Sequence, residues 1–186
     1  MGVAGTNSEN QDMTFKVNAL TVDEVPVTAS AAEINRAADT SGRLVAAGGT
    51  LSVTEALHDG KVILLDTAAG SVCDLPAATG SGAKFTFIVS VARTSNSHIV
   101  RVAASSDDEF VGTMIQTDTD SSDALASYPA LDADGFDTIT LDATDGGVDV
   151  GDWIEVVDIK AATWAVKGHV NGSGTVGTPF SAAITS

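Results

Sequence analysis

The sequence predicts an all-β fold, a β-sandwich or jelly-roll-like barrel, with an extended N-terminal arm and one short capped helix. Three observations point there. Short segments of alternating apolar and polar residues recur about every ten residues beyond residue 50, with turn chemistry between them. Gly accounts for 18 of the 186 residues, which suits a fold with many turns. Helical patterning is confined to two short stretches, 30–38 and 54–60.

Residues 1–18 are small and polar, with Asn, Ser, Glu, Gln and Asp clustered at 7–12. They carry too little apolar surface to fold alone and read as an arm. Residues 19–27 alternate in part and end near Pro26, as an extended segment or edge strand does. The arm is thus assigned to 1–29. Ser30 with Glu33 makes a capping box, the Ser oxygen accepting an early N–H and the Glu reaching back. Ala31, Ala32, Ile34, Arg36, Ala37 and Ala38 favour helix, and Gly42 can end it. Two to three turns are too short to stand alone. The stripe Ile34, Ala37, Ala38 and Leu44 is therefore expected to pack, on symmetry-related copies or on the β domain. Helix and linker occupy 30–47, and the β domain 48–186.

In that domain 50–53 alternates, and 54–60 forms a helical turn ending at Gly60. Residues 61–66 read as a strand buried on both faces or nearly so, and 71–76 as another short strand. Residues 77–82 form a small-residue loop. Phe85, Phe87 and Val89 alternate with Thr86, Ile88 and Ser90, and 98–102 is the next strand. The polar stretch 94–97 suits a hairpin loop between them. Within 104–135 only Phe110, Val111, Met114 and Ile115 signal a strand. Residues 137–142, 153–159 and 163–170 complete the strong signals, Trp164, Val166 and Gly168 sharing one face. Asn171-Gly-Ser173, formally a glycosylation sequon, reads as a hairpin turn. No repeat of fixed period is visible.

Net charge is −16. That argues against nucleic-acid binding, which needs Lys and Arg against phosphate. From Val102 to Ile159 there is no Lys or Arg, yet fifteen of the 25 acids lie there. The expectation is a strongly negative, solvated face. No segment is long and apolar enough to span a membrane. The first residues lack the basic and apolar regions of a signal peptide. Gly2 with Thr6 fits the loose myristoylation pattern, which is too short to carry weight. Cys73 is the lone Cys, so it forms no intrachain disulfide and is expected in the core.

The chemistry-bearing patterns are weak. Asp132, Asp134 and Asp137 surround Gly135 as in a calcium loop, but an EF-hand would need a Gly at 137 and a Glu at 143. Asp118 with Asp120, and Asp145 with Asp149, are looser still. His58, His98 and His169 lie far apart, without zinc spacing. Gly80-Ser-Gly82 and Gly172-Ser-Gly174 lack a nucleophile frame and read as turns. Glu55, Glu109 and Glu155 are the Glu residues of the β domain, and a sugar cleft would need more aromatics than two Trp and one Tyr. Trp153 and Trp164, within apolar strands, are expected in the core. No enzymatic activity, catalytic residue, cofactor or metal is expected.

Two stretches carry a family resemblance. The first is Val27-Thr-Ala-Ser-Ala-Ala-Glu-Ile-Asn-Arg-Ala-Ala-Asp39 with Ser41-Gly-Arg43. The second is Thr54-Glu-Ala-Leu-His-Asp-Gly-Lys61, then Leu65-Asp-Thr-Ala-Ala-Gly70, Leu75-Pro-Ala-Ala-Thr-Gly80, Phe85-Thr-Phe87 and Ser95-Asn-Ser-His-Ile99. Together they resemble tailed-phage head decoration (cement) and head-fibre proteins, and the first also resembles tail fibres. Residues 104–186 carry no match. The resemblance implies a bacteriophage virion structural protein on the outer surface of the capsid. It implies the major capsid protein as partner and homo-oligomers, most often trimers, with no nucleic-acid or membrane partner. The alternative is a head or tail fibre module that binds a host surface glycan.

Overall fold

The computed structural model describes residues 21–22, 25–38, 42–102, 107–120, 124–147 and 149–184. The expectations for residues 1–20 lie outside this set. The chain divides into two compact units, Met1–Thr40 and Ser41–Ser186.

In the first unit β1 (Thr21–Val22) pairs antiparallel with β2 (Val25–Pro26), and α1 (Ala31–Ala38) follows. The capping box is formed in full. Ser30 N–H donates to Glu33 Oε2 at 2.6 Å, and Glu33 N–H donates to Ser30 Oγ at 3.3 Å. Side chains 31–35 are exposed, Ile34 by 37%. The rest of the expected stripe in α1, Ala37 and Ala38, has side chains outside the description.

The second unit is two packed sheets. The chain enters by alternating between them: β3 (Leu44–Ala46), β5 (Val62–Leu65) and β7 (Lys84–Val89) belong to one sheet. Between them β4 (Thr50–Ser52), β6 (Val72–Asp74) and β8 (His98–Arg101) build the other. Within each sheet these successive strands are parallel, Leu44 beside Val62 beside Thr86, and Thr50 beside Val72 beside Ile99. The entry half is therefore a two-sheet coil. Its rungs are 18 residues apart (44 to 62), then 24 (62 to 86), so no fixed period marks it in the sequence. The short helix α2 (Glu55–His58) sits in one crossover.

The later strands widen both sheets. β9 (Glu109–Asp118) and β10 (Leu125–Ala130) form a hairpin, as do β12 (Trp153–Lys160) and β13 (Thr163–Gly172). β11 (Thr138–Leu141) and β14 (Phe180–Ser181) join the smaller sheet. The orders are β10-β9-β13-β12-β7-β5-β3 and β14-β11-β8-β6-β4. Half of the ten pairings are parallel, which separates this sandwich from an antiparallel jelly roll.

The core fills the gap between the sheets with one phase of each strand: Ile63, Leu65, Phe85, Phe87, Val100, Phe110, Met114, Ile139, Ile154 and Trp164. Phe85 and Trp164 meet tilted, ring centres 5.7 Å apart. Cys73 is fully buried here. Close strand approach demands glycine at Gly112, where φ is +144° and a Cβ would run into the Val166 carbonyl.

Three local expectations are corrected. Residues 94–97 make no hairpin, because β7 and β8 lie in different sheets and the loop carries the chain between them. Asn171 and Gly172 make no turn, because β13 continues its parallel pairing with β9 as far as Gly172 beside Asp118. Trp153 is not in the core: it is 36% exposed, on the face of β12 opposite the buried Ile154 and Val156.

Candidate interaction surface

The acidic residues do not form a simple solvated face. In a chain with so few cations, many carboxylates are neutralised by backbone N–H groups instead. Asp158, 1% exposed, accepts from Thr79, Gly80 and Ser81 N–H at 2.9, 2.7 and 3.1 Å and from Ser81 Oγ at 3.0 Å. Burial pushes its carboxyl up, but those backbone and hydroxyl donors outweigh burial and hold it below the usual range. The expected turn Gly80-Ser-Gly82 is thus folded round a carboxylate. Asp108 likewise accepts from Ala78 N–H at 2.6 Å, and Asp137 from Ala183 and Ile184 N–H at 2.8 and 3.1 Å.

The calcium-like acids go to three separate jobs. Asp132 pairs with Lys160 at 3.2 Å, Asp134 accepts from Leu131 N–H at 2.8 Å, and Asp137 holds the C-terminal segment. Asp118 Oδ1 accepts from Asp120 N–H, while Asp120 Oδ2 accepts from Gly174 N–H. Asp145 N–H donates to Asp142, and Asp149 lies in the turn before β12. A cleft of about 240 Å³ is lined by Asp107, Asp108, Glu109 and Asp137. Burial first, then repulsion from Asp132, raises the Glu109 carboxyl. Among the described residues, no group of three or more His, Cys, Asp or Glu is gathered as a metal requires.

The histidines are likewise separate. His58 Nδ1 accepts from Thr54 N–H at 2.9 Å. Buried His98 accepts from Ser71 N–H at Nδ1 and donates from Nε2 to the Val91 carbonyl, and burial lowers its pKa. His169 lies 2.8 Å from Thr117 Oγ1 on the outer side of the larger sheet. Glu55 Oε1 lies 2.8 Å from Ser81 Oγ and competes with Asp158 for its single hydroxyl proton.

That outer side is the candidate surface. No family model, curated protein or solved structure matches this chain. The surface therefore has to be read from its own chemistry. Ladder registers place Ile115, His169, Trp153, Ile88, Leu64 and Ala46 in one row across six strands, from β9 to β3. Beside it Lys167, Glu155, Thr86, Val62 and Leu44 form a second row. Glu155 accepts from Lys167 at 2.9 Å and faces Lys84 at 3.6 Å. The Lys167 bond lowers its carboxyl most, ahead of the opposing effect of burial, and Lys84 adds to it. A hollow of about 290 Å³ beside this triad is lined by Val157, Ile159 and Ala165.

The sequence reading missed this surface. A signal was present. Residues 62–65 and 153–159 carry apolar residues in both alternation phases, yet among the described residues of the unit Ser41–Ser186 no further strand or helix layer lies over the second phase.

Proposed function

We propose that this chain is a structural protein of a tailed-phage virion, a decoration (cement) protein that binds the outside of the head and strengthens the shell without catalysis. The observation that carries the reading is α1. It is an eight-residue helix with a complete capping box, and its described side chains, Ile34 included, are exposed. A helix of two turns is not stable alone and calls for a packing partner, which in this reading is another protein of the head. The same segment carries the resemblance to phage virion proteins, head decoration proteins, head fibres and tail fibres alike. In this reading the unit Met1–Thr40 contacts the major capsid protein, and the sandwich bears the solvent-facing surface. Three copies at a three-fold position would multiply small contacts by avidity. The acid-rich loops would repel other virions and host polyanions.

The test is co-sedimentation of the full chain with undecorated heads built from the cognate major capsid protein. Saturable binding is expected, and Ile34→Glu should abolish it while the sandwich melts as in wild type. Undiminished binding by Ile34→Glu would remove α1 from the contact.

A second reading, a fibre module binding a host glycan, draws on Trp153, which is half-exposed beside His169. Selective glycan-array binding that Trp153→Ala abolishes would favour it.

A further inference from the structure

We propose that the outer face of the seven-stranded sheet is the surface through which copies of this chain associate. The virion reading expects copies to associate without naming a surface; the choice of this face rests on exposure and charge.

Among the described residues, five large hydrophobics within the two sandwich sheets are exposed: Leu44, Ile115, Leu125, Trp153 and Ile159. All five belong to the seven-stranded sheet and none to the smaller one. The smaller sheet turns outward Thr50, Ser52 and the half-buried Thr140, with an Asp74–Arg101 ion pair. That is a solvent-facing pattern. The larger sheet instead turns large apolar side chains to solvent, with exposures of 46% at Ile115 and 63% at Leu44, in two rows that are interrupted by His169 and by the Lys167–Glu155 pair.

Charge selects the occupant. A chain of net charge −16 repels its own copies over most orientations. On this face the outward strand positions between β3 and β9 are nearly neutral, Lys84 and Lys167 against Glu155 and Glu109. Two copies meeting here bring no excess of like charge together. The sheet edges are poor alternatives, since β3 has three residues and β10 carries Pro129, which lacks an N–H. Seven strands at ~4.8 Å spacing and about three outward side chains per strand give a face of about 29 by 20 Å. That is about 600 Å² per copy, at the lower limit for a specific interface, so association should depend on concentration.

The two tryptophans supply a native probe, because Trp164 is fully buried and Trp153 is 36% exposed. Iodide quenching therefore reports Trp153. The experiment measures mass by sedimentation and iodide quenching on the full chain, from about 0.1 to 100 µM. Expected are multiples of the chain mass, with Trp153 losing its quenching as mass rises. Ile115→Glu should weaken association at least about 100-fold with an unchanged circular dichroism spectrum. Thr140→Glu, on the smaller sheet, should leave it unchanged. A single-copy mass throughout would overturn the proposal. So would multiples in which Trp153 stays equally quenchable, which needs no variant to fold. Protection of Trp153 only on adding undecorated heads would also overturn it, assigning the face to the shell.

Discussion

Replacing Asp158 by Asn keeps the shape and removes one acceptor. In the wild type Oδ2 accepts from Thr79 N–H, Ser81 N–H and both hydroxyls, while Oδ1 accepts from Gly80 N–H at 2.7 Å. An Asn oxygen can serve the crowded side, but its NH₂ then points at Gly80 N–H, donor against donor. The loss is one charge-assisted bond at a part-buried site, with two donors left facing each other, together about 2–3 kcal/mol. The pH dependence has a definite sign. The folded carboxyl lies below its ordinary value of 3.8, so its stabilisation is present above that value and fades as pH falls through the lower folded one. Urea unfolding of both proteins along a pH series should show the full gap at pH 7 and a narrowing gap below about pH 4. A gap under about 1 kcal/mol at pH 7, or one that does not narrow in acid, would refute the carboxylate-centred account of the loop.

Three further outcomes follow from neighbouring features. Asp152 is 3% exposed, and burial raises its carboxyl despite N–H donors from Asn171, Asp149 and Gly147. Its contribution is full below the ordinary value of 3.8 and is lost as pH rises through the folded one, so Asp152→Asn should gain on wild type in urea unfolding above about pH 4. Gly112→Ala must fit a Cβ at φ +144° against the Val166 carbonyl, and should lower stability by about 3 kcal/mol in the same assay. Burial, aided by Asp74 and Asp66, pushes the Cys73 thiol up to about 12, so a thiol reagent should label the native chain negligibly and the urea-unfolded chain once.

The strands at 85–89, 138–141, 153–159 and 163–170 were legible because one phase of each enters the core. The segment Leu125–Ala130 was not: Pro129 and two alanines give a weak β signal, and its ladder with β9 supplies what propensity lacks. The parallel coil was hidden by unequal crossovers, and its loops therefore resembled hairpin turns. The acids misled for a physical reason. Asp158 and Thr79 are 79 residues apart, and Asp137 and Ala183 are 46 apart. The acceptor is visible in the sequence, but its partner is a backbone N–H that any residue could supply. The capping box was fully legible because both of its halves are local, three residues apart.

The central claim, a head decoration protein anchored through its first unit, is tested most directly by titrating the full chain onto undecorated heads and counting bound copies. The account predicts saturation at a fixed number of copies per capsid site and loss of binding in Ile34→Glu. No binding at any concentration, with selective binding to a host glycan instead, would contradict it.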